Sequence, residues 1–388
     1  MTREGQVNGD RVILFPYAGD TMGGSVRSSY LLIEALLARG ENVVTAFHGS
    51  GFAREEAQRR GFPRIDLPPL GDVAEKDRKD SVRIGNYLAL PQAVRVLRQT
   101  GATIVHVNDK RMLRTWTVPS LLCGRVLLNH WRSVYTRSLS VDLGLRVARR
   151  TVTVSRYSFD LLPSWAQAKA EVVYNPFQIA TDLIDIPATR ARIRAEKGIP
   201  ADAALIGYFG TLQKRKRPHV MFDLLDAIPR AGDGRPVMGL VCGGWVEPRD
   251  SVYEEGLKAG RHAGRLIATG HIDNPLDYMA ACDVVVLPAI DEPLSRVGVE
   301  AQSLGLPPIV SSDGGLKEVV KHGLSGFVVD PYDAQGWVDH ARRMIDDPDL
   351  RNRMAQASRA AAGELTVARH VDRIAAIYDE LVPRRVSA

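Results

Sequence analysis

Twice along this 388-residue chain, short apolar runs alternate with amphipathic stretches of helical period. Strands separated by helices make βαβ units, and such units build parallel sheets covered on both faces. In the first half the apolar runs are Arg11–Tyr17, Asn42–Phe47, Ile104–Asn108, Val126–His130, Thr151–Ser155 and Val172–Tyr174. A helix over Val26–Arg39 follows the first, with Leu31, Leu32, Ala35 and Leu36 apolar and Gly40 as its stop. The alternation restarts at Ala204–Gly210 and runs through Val237–Gly243, Leu266–Gly270, Val284–Pro288, Pro308–Ser311 and Gly326–Val329. The pattern predicts an α/β fold of two similar domains, 1–178 and 179–365, with a cleft between them. A last helical pattern, Val367–Leu381, lies in the segment 366–388.

Composition narrows the class. Apolar residues make up 45% of the chain and charged residues 25%, as in globular proteins. No run reaches the roughly 18 to 20 apolar residues of a membrane span. The first ten residues are polar and lack the apolar core of an export signal. Cys123, Cys242 and Cys282 lie far apart without metal-ligand spacing, which fits small buried residues in a reducing cytoplasm. The polar stretch Gly71–Arg83 reads as an exposed loop. Through residue 178 there are 25 basic against 16 acidic residues, a net of +9, while the remainder has 26 against 29, a net of −3. A basic first half suits an anionic acceptor or the inner face of an anionic membrane as a peripheral contact.

Chemistry concentrates on two loops of the second half. Glu292 and Glu300 lie in D-E-P-L-S-R-V-G-V-E, between the apolar runs Val284–Pro288 and Pro308–Ser311. Glu292 falls on the loop leaving a strand and Glu300 about two turns into the next helix. That is the carboxyl edge of an open sheet, where ligands bind. An ionised carboxylate there accepts two hydrogen bonds at once and suits a diol. Tyr208–His219 runs from a strand through Gly210 and Thr211 to Lys214, Arg215, Lys216 and Arg217, ahead of a helix that Pro218 opens. Cations beside a helix start form an anion site, and a diphosphate fits it. Neither G-x-G-x-x-G nor G-x-x-x-x-G-K-[ST] occurs, which argues against a nicotinamide enzyme or a nucleoside triphosphatase.

The two-glutamate run, with its Pro293, Arg296 and A-x-x-L-G-L-P ending, resembles the donor-site signature of retaining glycosyltransferases of the GT-B fold, family 4. The resemblance spans nearly the whole chain, most strongly Gly210–Asp330. It implies two Rossmann-like domains with parallel sheets facing a central cleft, the first binding acceptor and the second a nucleotide-sugar donor. The tail 366–388 would cross back to the first domain. Carried over by position, Lys216 is the phosphate-binding lysine, with Thr211 standing where relatives have arginine and Arg215 or Arg217 supplying charge. Glu292 would touch the transferred sugar and Glu300 the ribose hydroxyls. Pro293, Leu294, Ser295, Arg296 and Val297 would border the donor, with Leu294 and Ser295 replacing the family's Phe and Gly.

The same resemblance gives Gly210, Gly243 and Gly244 close approach to the nucleotide, and sets His271 and Ile272 of T-G-H-I-D-N beside the base. Asp313, Gly314, Gly315 and Glu318 border the site, the glycines as structural residues. From the first domain, Gly23 and Gly24 would offer N–H groups to the phosphates and His130 would lie near the reacting sugar. Asn108, Asp109 and Arg132 would hold the acceptor, while Ser155 reads as a helix cap.

The implied enzyme is a hexosyltransferase moving sugar from a UDP- or GDP-sugar to a saccharide or lipid-linked saccharide in envelope polysaccharide or glycoconjugate synthesis, without metal or other cofactor. The alternatives are a nucleotide-sugar epimerase of similar fold, a natural-product glycosyltransferase, and a sugar- or nucleic-acid-binding protein. The last lacks aromatic residues interleaved among its basic ones.

Overall fold

The computed structural model describes residues 11–20, 23–70, 89–178, 181, 184–245 and 250–383. The polar amino-terminal ten residues and the expected loop Gly71–Arg83 lie outside them. The chain divides into two compact units, one of residues up to Gln178 together with those from Thr366, the other Ile179–Leu365.

The first unit holds a seven-stranded parallel sheet of β1 (Val12–Tyr17), β2 (Asn42–His48), β3 (Arg64–Leu67), β4 (Ile104–Val107), β5 (Val126–Trp131), β6 (Arg150–Thr153) and β7 (Ala170–Val172). Their order is β3-β2-β1-β4-β5-β6-β7. Every residue of β1 is buried, since parallel strands are covered on both faces. Val12 and Leu14 join one core cluster, while Ile13, Phe15 and Tyr17 join the opposite one. β1 carries Pro16, yet pairs with β4 only at Ile13 and Leu14, so the missing N–H lies beyond that ladder. Helix Val367–Leu381 sends Val371, Ile374, Ile377 and Tyr378 into the core that holds Ile13 and Phe15. Arg11 fastens this packing, its guanidinium 2.6 Å from both Glu41 and Asp379.

The second unit has a six-stranded parallel sheet of β8 (Ala204–Phe209), β9 (Val237–Cys242), β10 (Leu266–Gly270), β11 (Val284–Leu287), β12 (Pro308–Ser311) and β13 (Phe327–Val329), ordered β10-β9-β8-β11-β12-β13. In both sheets the order reverses beside the opening strand, between β1 and β4 and between β8 and β11. Loops leaving the carboxyl ends on either side of such a reversal diverge and open a crevice.

Two expectations are corrected. β3, R-I-D-L, was absent from the expected strands because it has only two apolar residues and its first three positions are incompletely buried. β7 ends at Val172 rather than running over Val172–Tyr174; Val173 is buried beyond the strand end.

Opposite the second crevice, Asp283 holds the amino ends of β8 and β11 together. It accepts from Arg190 at 2.7 Å, Arg194 at 2.9 Å and the Leu205 backbone N–H at 2.8 Å. Arg190 and Arg194 lie one turn apart on helix Ile186–Glu196. Removing one member of a buried network leaves the others' charge uncompensated. Asp283→Ala is expected to cost the second unit roughly 3–5 kcal/mol, read from urea unfolding. A loss within experimental error would show that the network does not hold these strands.

Candidate functional site

The loops from β8 and β11 meet at the second reversal. After β8 the chain passes Gly210 and Thr211 and turns through a 3₁₀ segment, Lys214–Lys216. Lys216 Nζ donates to Glu292 Oε2 at 2.9 Å, and Arg215 Nη1 donates to the same oxygen. Arg215 also bonds the Asp291 carbonyl at 3.3 Å, and its own carbonyl accepts from Ile290 N–H at 3.0 Å. Burial raises the Glu292 carboxyl, but the charges and hydrogen bonds of Lys216 and Arg215 outweigh it and hold the group below the usual carboxylate range.

The Glu292 backbone is also fixed. Its carbonyl accepts from Gly315 N–H at 2.9 Å, and a Cβ on Gly314 would come within 2.6 Å of that carbonyl oxygen. Gly314 has φ +115°, so space and conformation both call for glycine. The Asp291 N–H bonds Asp313 Oδ1 at 3.4 Å. A solvent-open pocket is lined by Lys216, Glu292, Ser295, Ser311 and Asp313, with Phe209 and Leu287 among its apolar residues. It combines a cation, two carboxylates and hydroxyls, with Arg215 joined to it through Glu292, a set able to bind a polyhydroxylated ligand.

The other named residues divide. Glu300 lies 3.4 Å from Arg296, one turn earlier on helix Arg296–Ser303, and neither lines this pocket. Ser295 stands at the start of that helix, buried like Leu294, with Pro293 and Val297 half-buried on either side. Thr211 Oγ1 accepts from Gln213. The His271 imidazole is exposed beside Asp273, whereas Ile272 packs against the core. Arg217 turns away, donating to the Pro331 carbonyl at 2.6 Å and stacking over Tyr332, so Arg215 is the arginine that joins Lys216.

Gly243 has a packing role: a Cβ there would lie 1.8 Å from the Gly210 carbonyl oxygen. The glycine is therefore required by the approach of the Gly210 backbone. Tyr208 and Ser311 also line the pocket, and sequence reasoning missed both. Their signal was position at the carboxyl ends of β8 and β12.

In the first unit, Gly23 precedes helix Gly24–Ala38, and a Cβ on it would meet nothing within 4 Å. Asp109 caps helix Lys110–Leu122 by accepting from Met112 N–H at 2.8 Å, and burial pushes its carboxyl up. Ser155 caps the helix that opens at Arg156. Asn108, His130 and the half-buried Arg132 form one cluster with His106, His370 and Asn175, the others buried. Arg132 donates to Asn108 Oδ1 at 3.2 Å and to Asn175 Oδ1. His130 is fully buried, with the near-parallel rings of His106 and His370 at centroid distances of 5.4 and 5.6 Å.

Residues 189–361 match the family described as glycosyl transferases group 1. The Anabaena protein HepE, solved with UDP-glucose, superposes with a TM-score of 0.79 over 96% of this chain and 100% of its own, at 21% identity. WaaG, a glycosyltransferase involved in lipopolysaccharide biosynthesis, gives 0.69 over 94% and 99%, at 16% identity. The chain has the GT-B fold. Among curated relatives, the D-inositol 3-phosphate glycosyltransferase of Corynebacterium urealyticum is 32% identical over 168 residues, 42% of this chain and 40% of the relative. That of Thermobispora bispora is 29% identical over 63% and 58%. The GT-B chain thus spans about 40 to 58% of these curated relatives. Among the described residues, no helix is long and apolar enough to cross a membrane.

The buried imidazoles predict acid sensitivity. Burial lowers the pKa of His48 to about 4 and of His370 to about 3, and lowers those of His106 and His130 as well. Below about pH 6.5 the unfolded chain gains protons that the folded chain refuses, so stability falls as pH drops toward 4. Glu292, with its lowered pKa, stabilises fully above about pH 4.5 and loses that contribution only below it. The thermal midpoint of the first unit is therefore expected to fall between pH 6.5 and 4.5, where the second unit's Glu292 contribution is still intact. A midpoint flat across that window would contradict the burial of neutral imidazoles.

Proposed function

We propose that this chain is a family 4 retaining glycosyltransferase that moves a hexose from a UDP- or GDP-sugar to a hydroxyl of a saccharide or lipid-linked saccharide. The observation that carries the reading is Glu292 Oε2, held by both Lys216 and Arg215 at the strand reversal of the second sheet. Two cations sharing one carboxylate oxygen are poised for an anion of higher charge. A diphosphate entering beside Lys216 draws both cations to itself and frees Glu292 to accept from sugar hydroxyls. Glu300, at the helix that follows, takes the ribose hydroxyls. The first unit binds the acceptor.

The bond from the sugar's anomeric carbon to the diphosphate oxygen breaks as the acceptor oxygen bonds to that carbon from the same face. A phosphate oxygen takes the acceptor's proton, leaving a glycoside and a nucleoside diphosphate. Charge builds on the leaving group, so Lys216 and Arg215 supply the main stabilisation, the work a divalent cation does elsewhere. Relatives named D-inositol 3-phosphate glycosyltransferase, after a phosphorylated cyclitol, support an anionic acceptor, as does the basic first half.

A peripheral membrane contact belongs to the same reading. Leu121 and Leu122 end helix Lys110–Leu122, and Leu139 and Leu143 lie one turn apart on helix Leu139–Val147; all four are exposed. The helices meet closely, since a Cβ on Gly144 would touch Leu113. Arg137, Arg146 and Arg149 are exposed beside them in sequence. Leucines rimmed by arginines complement an anionic bilayer.

Thermal-shift and calorimetric titration with UDP-, GDP-, ADP- and dTDP-sugars, without metal, is expected to find one tight ligand. Glu300→Ala should abolish that binding, and Lys216→Ala should lower kcat by about 100-fold, with turnover unaffected by chelator. If no nucleotide sugar binds, the glycosyltransferase reading falls. Phosphatidylglycerol vesicles at low salt are expected to retain the protein, and a Leu139→Asp/Leu143→Asp variant should stay in solution. Equal sedimentation of both would remove the membrane contact.

A further inference from the structure

The cluster around His130 fixes where its proton sits. Arg132 Nη2 lies 3.2 Å from His130 Nδ1. A guanidinium only donates, so Nδ1 must offer its lone pair. A neutral imidazole has one N–H, which leaves the proton on Nε2. His106 Nε2 lies 3.2 Å from the same Nδ1, so that bond needs His106 protonated on Nε2 as well. His106 Nδ1 then accepts the phenol proton of Tyr378, 2.5 Å away on helix Val367–Leu381. His370, its ring near-parallel to that of His130, donates from Nδ1 to the Tyr174 carbonyl at 2.8 Å. His130 Nε2 is buried and has no partner among the described residues.

We infer that Arg132, with His106 and Tyr378 behind it, is a positioning group that locks His130 as the neutral Nε2–H tautomer, making it a hydrogen-bond donor and not a base. Each link follows from donor and acceptor chemistry. Arg132, read from the sequence as an acceptor-holding residue, has its guanidinium on Asn108 at the end of β4, His130 in β5 and Asn175 beyond β7. The charged and titratable groups facing His130 are Arg132 from the end of its own strand, His106 from β4 and His370 from helix Val367–Leu381, with Tyr378 behind His106. Burial first, and then the Arg132 charge, keep His130 neutral. The buried Nε2–H can donate to one oxygen of a ligand, a sugar hydroxyl in the glycosyltransferase reading. Only that last step rests on the proposed function.

The test is nitrogen-15 NMR of the histidine-labelled full chain. His106 and His130 should be neutral Nε2–H tautomers, and His370 the opposite tautomer, from pH 8 to 5.5. A His130 protonated on Nδ1, or titrating near pH 6.5 in the wild type, would overturn the inference. In Arg132→Met, His130 should titrate at higher pH than in the wild type. Transfer kcat should fall about tenfold with KM little changed, and Arg132→Lys should recover most of both. An unmoved His130 titration in a folded Arg132→Met variant would also sink the proposal. Should that variant fail to fold, the wild-type spectrum still decides the tautomer. Correct tautomers without turnover of any nucleotide sugar would leave the positioning role standing and fell the glycosyltransferase reading.

Discussion

One carboxylate oxygen between two cations organises the loop edge of the second unit. Lys216 and Arg215 come from the loop after β8, Glu292 from the loop after β11, and these strands are neighbours only because the sheet reverses there. The contact disciplines the backbone around it. Arg217 and Asp291, each adjacent to one side of the clamp, are the non-glycine residues with left-handed backbone among those described, at φ 51° and 53°. Such conformations cost about 1–2 kcal/mol each, and they persist where surrounding contacts over-determine them. Here those contacts are the Arg217 bond to Pro331 and the Glu292 carbonyl bond to Gly315.

The first unit treats polar groups differently at the corresponding edge. Its β4 and β5 end in a cluster of neutral aromatic nitrogens with one guanidinium, buried and cross-bonded, whereas the second unit exposes its charges to a pocket. Burial explains the contrast. Imidazoles can give up their charge and remain inside, but a lysine and a carboxylate held together stay ionised.

Much of this was legible in the sequence because it rests on continuous apolar runs. β1, β8, β9, β11 and β12 are buried throughout and read as unbroken hydrophobic segments. Lys216, Arg215 and Glu292 could be marked because each follows a strand of that kind. β3 escaped since an edge strand needs only one covered face and tolerates Arg64 and Asp66. The diversion of Arg217 depends on Pro331, 114 residues away, and the demand for glycine at 243 on a carbonyl 33 residues earlier. Neither leaves a local pattern. The tautomer of His130 depends on Tyr378, 248 positions later, and no spacing rule reaches so far.

The path of the chain through its two units has a consequence for how it is made. The second unit is one uninterrupted stretch, Ile179–Leu365, while the first draws on both sides of it. A ribosome therefore releases every residue of the second sheet before it releases helix Val367–Leu381, which covers Ile13 and Phe15 and supplies the partner of His106. Domains usually complete themselves in the order of synthesis; here the unit begun first is finished last. Until that helix emerges, this face of the nascent first sheet is covered only by the early helices that carry Ile33 and Ala53, and the growing chain carries a patch of open apolar surface through most of its translation.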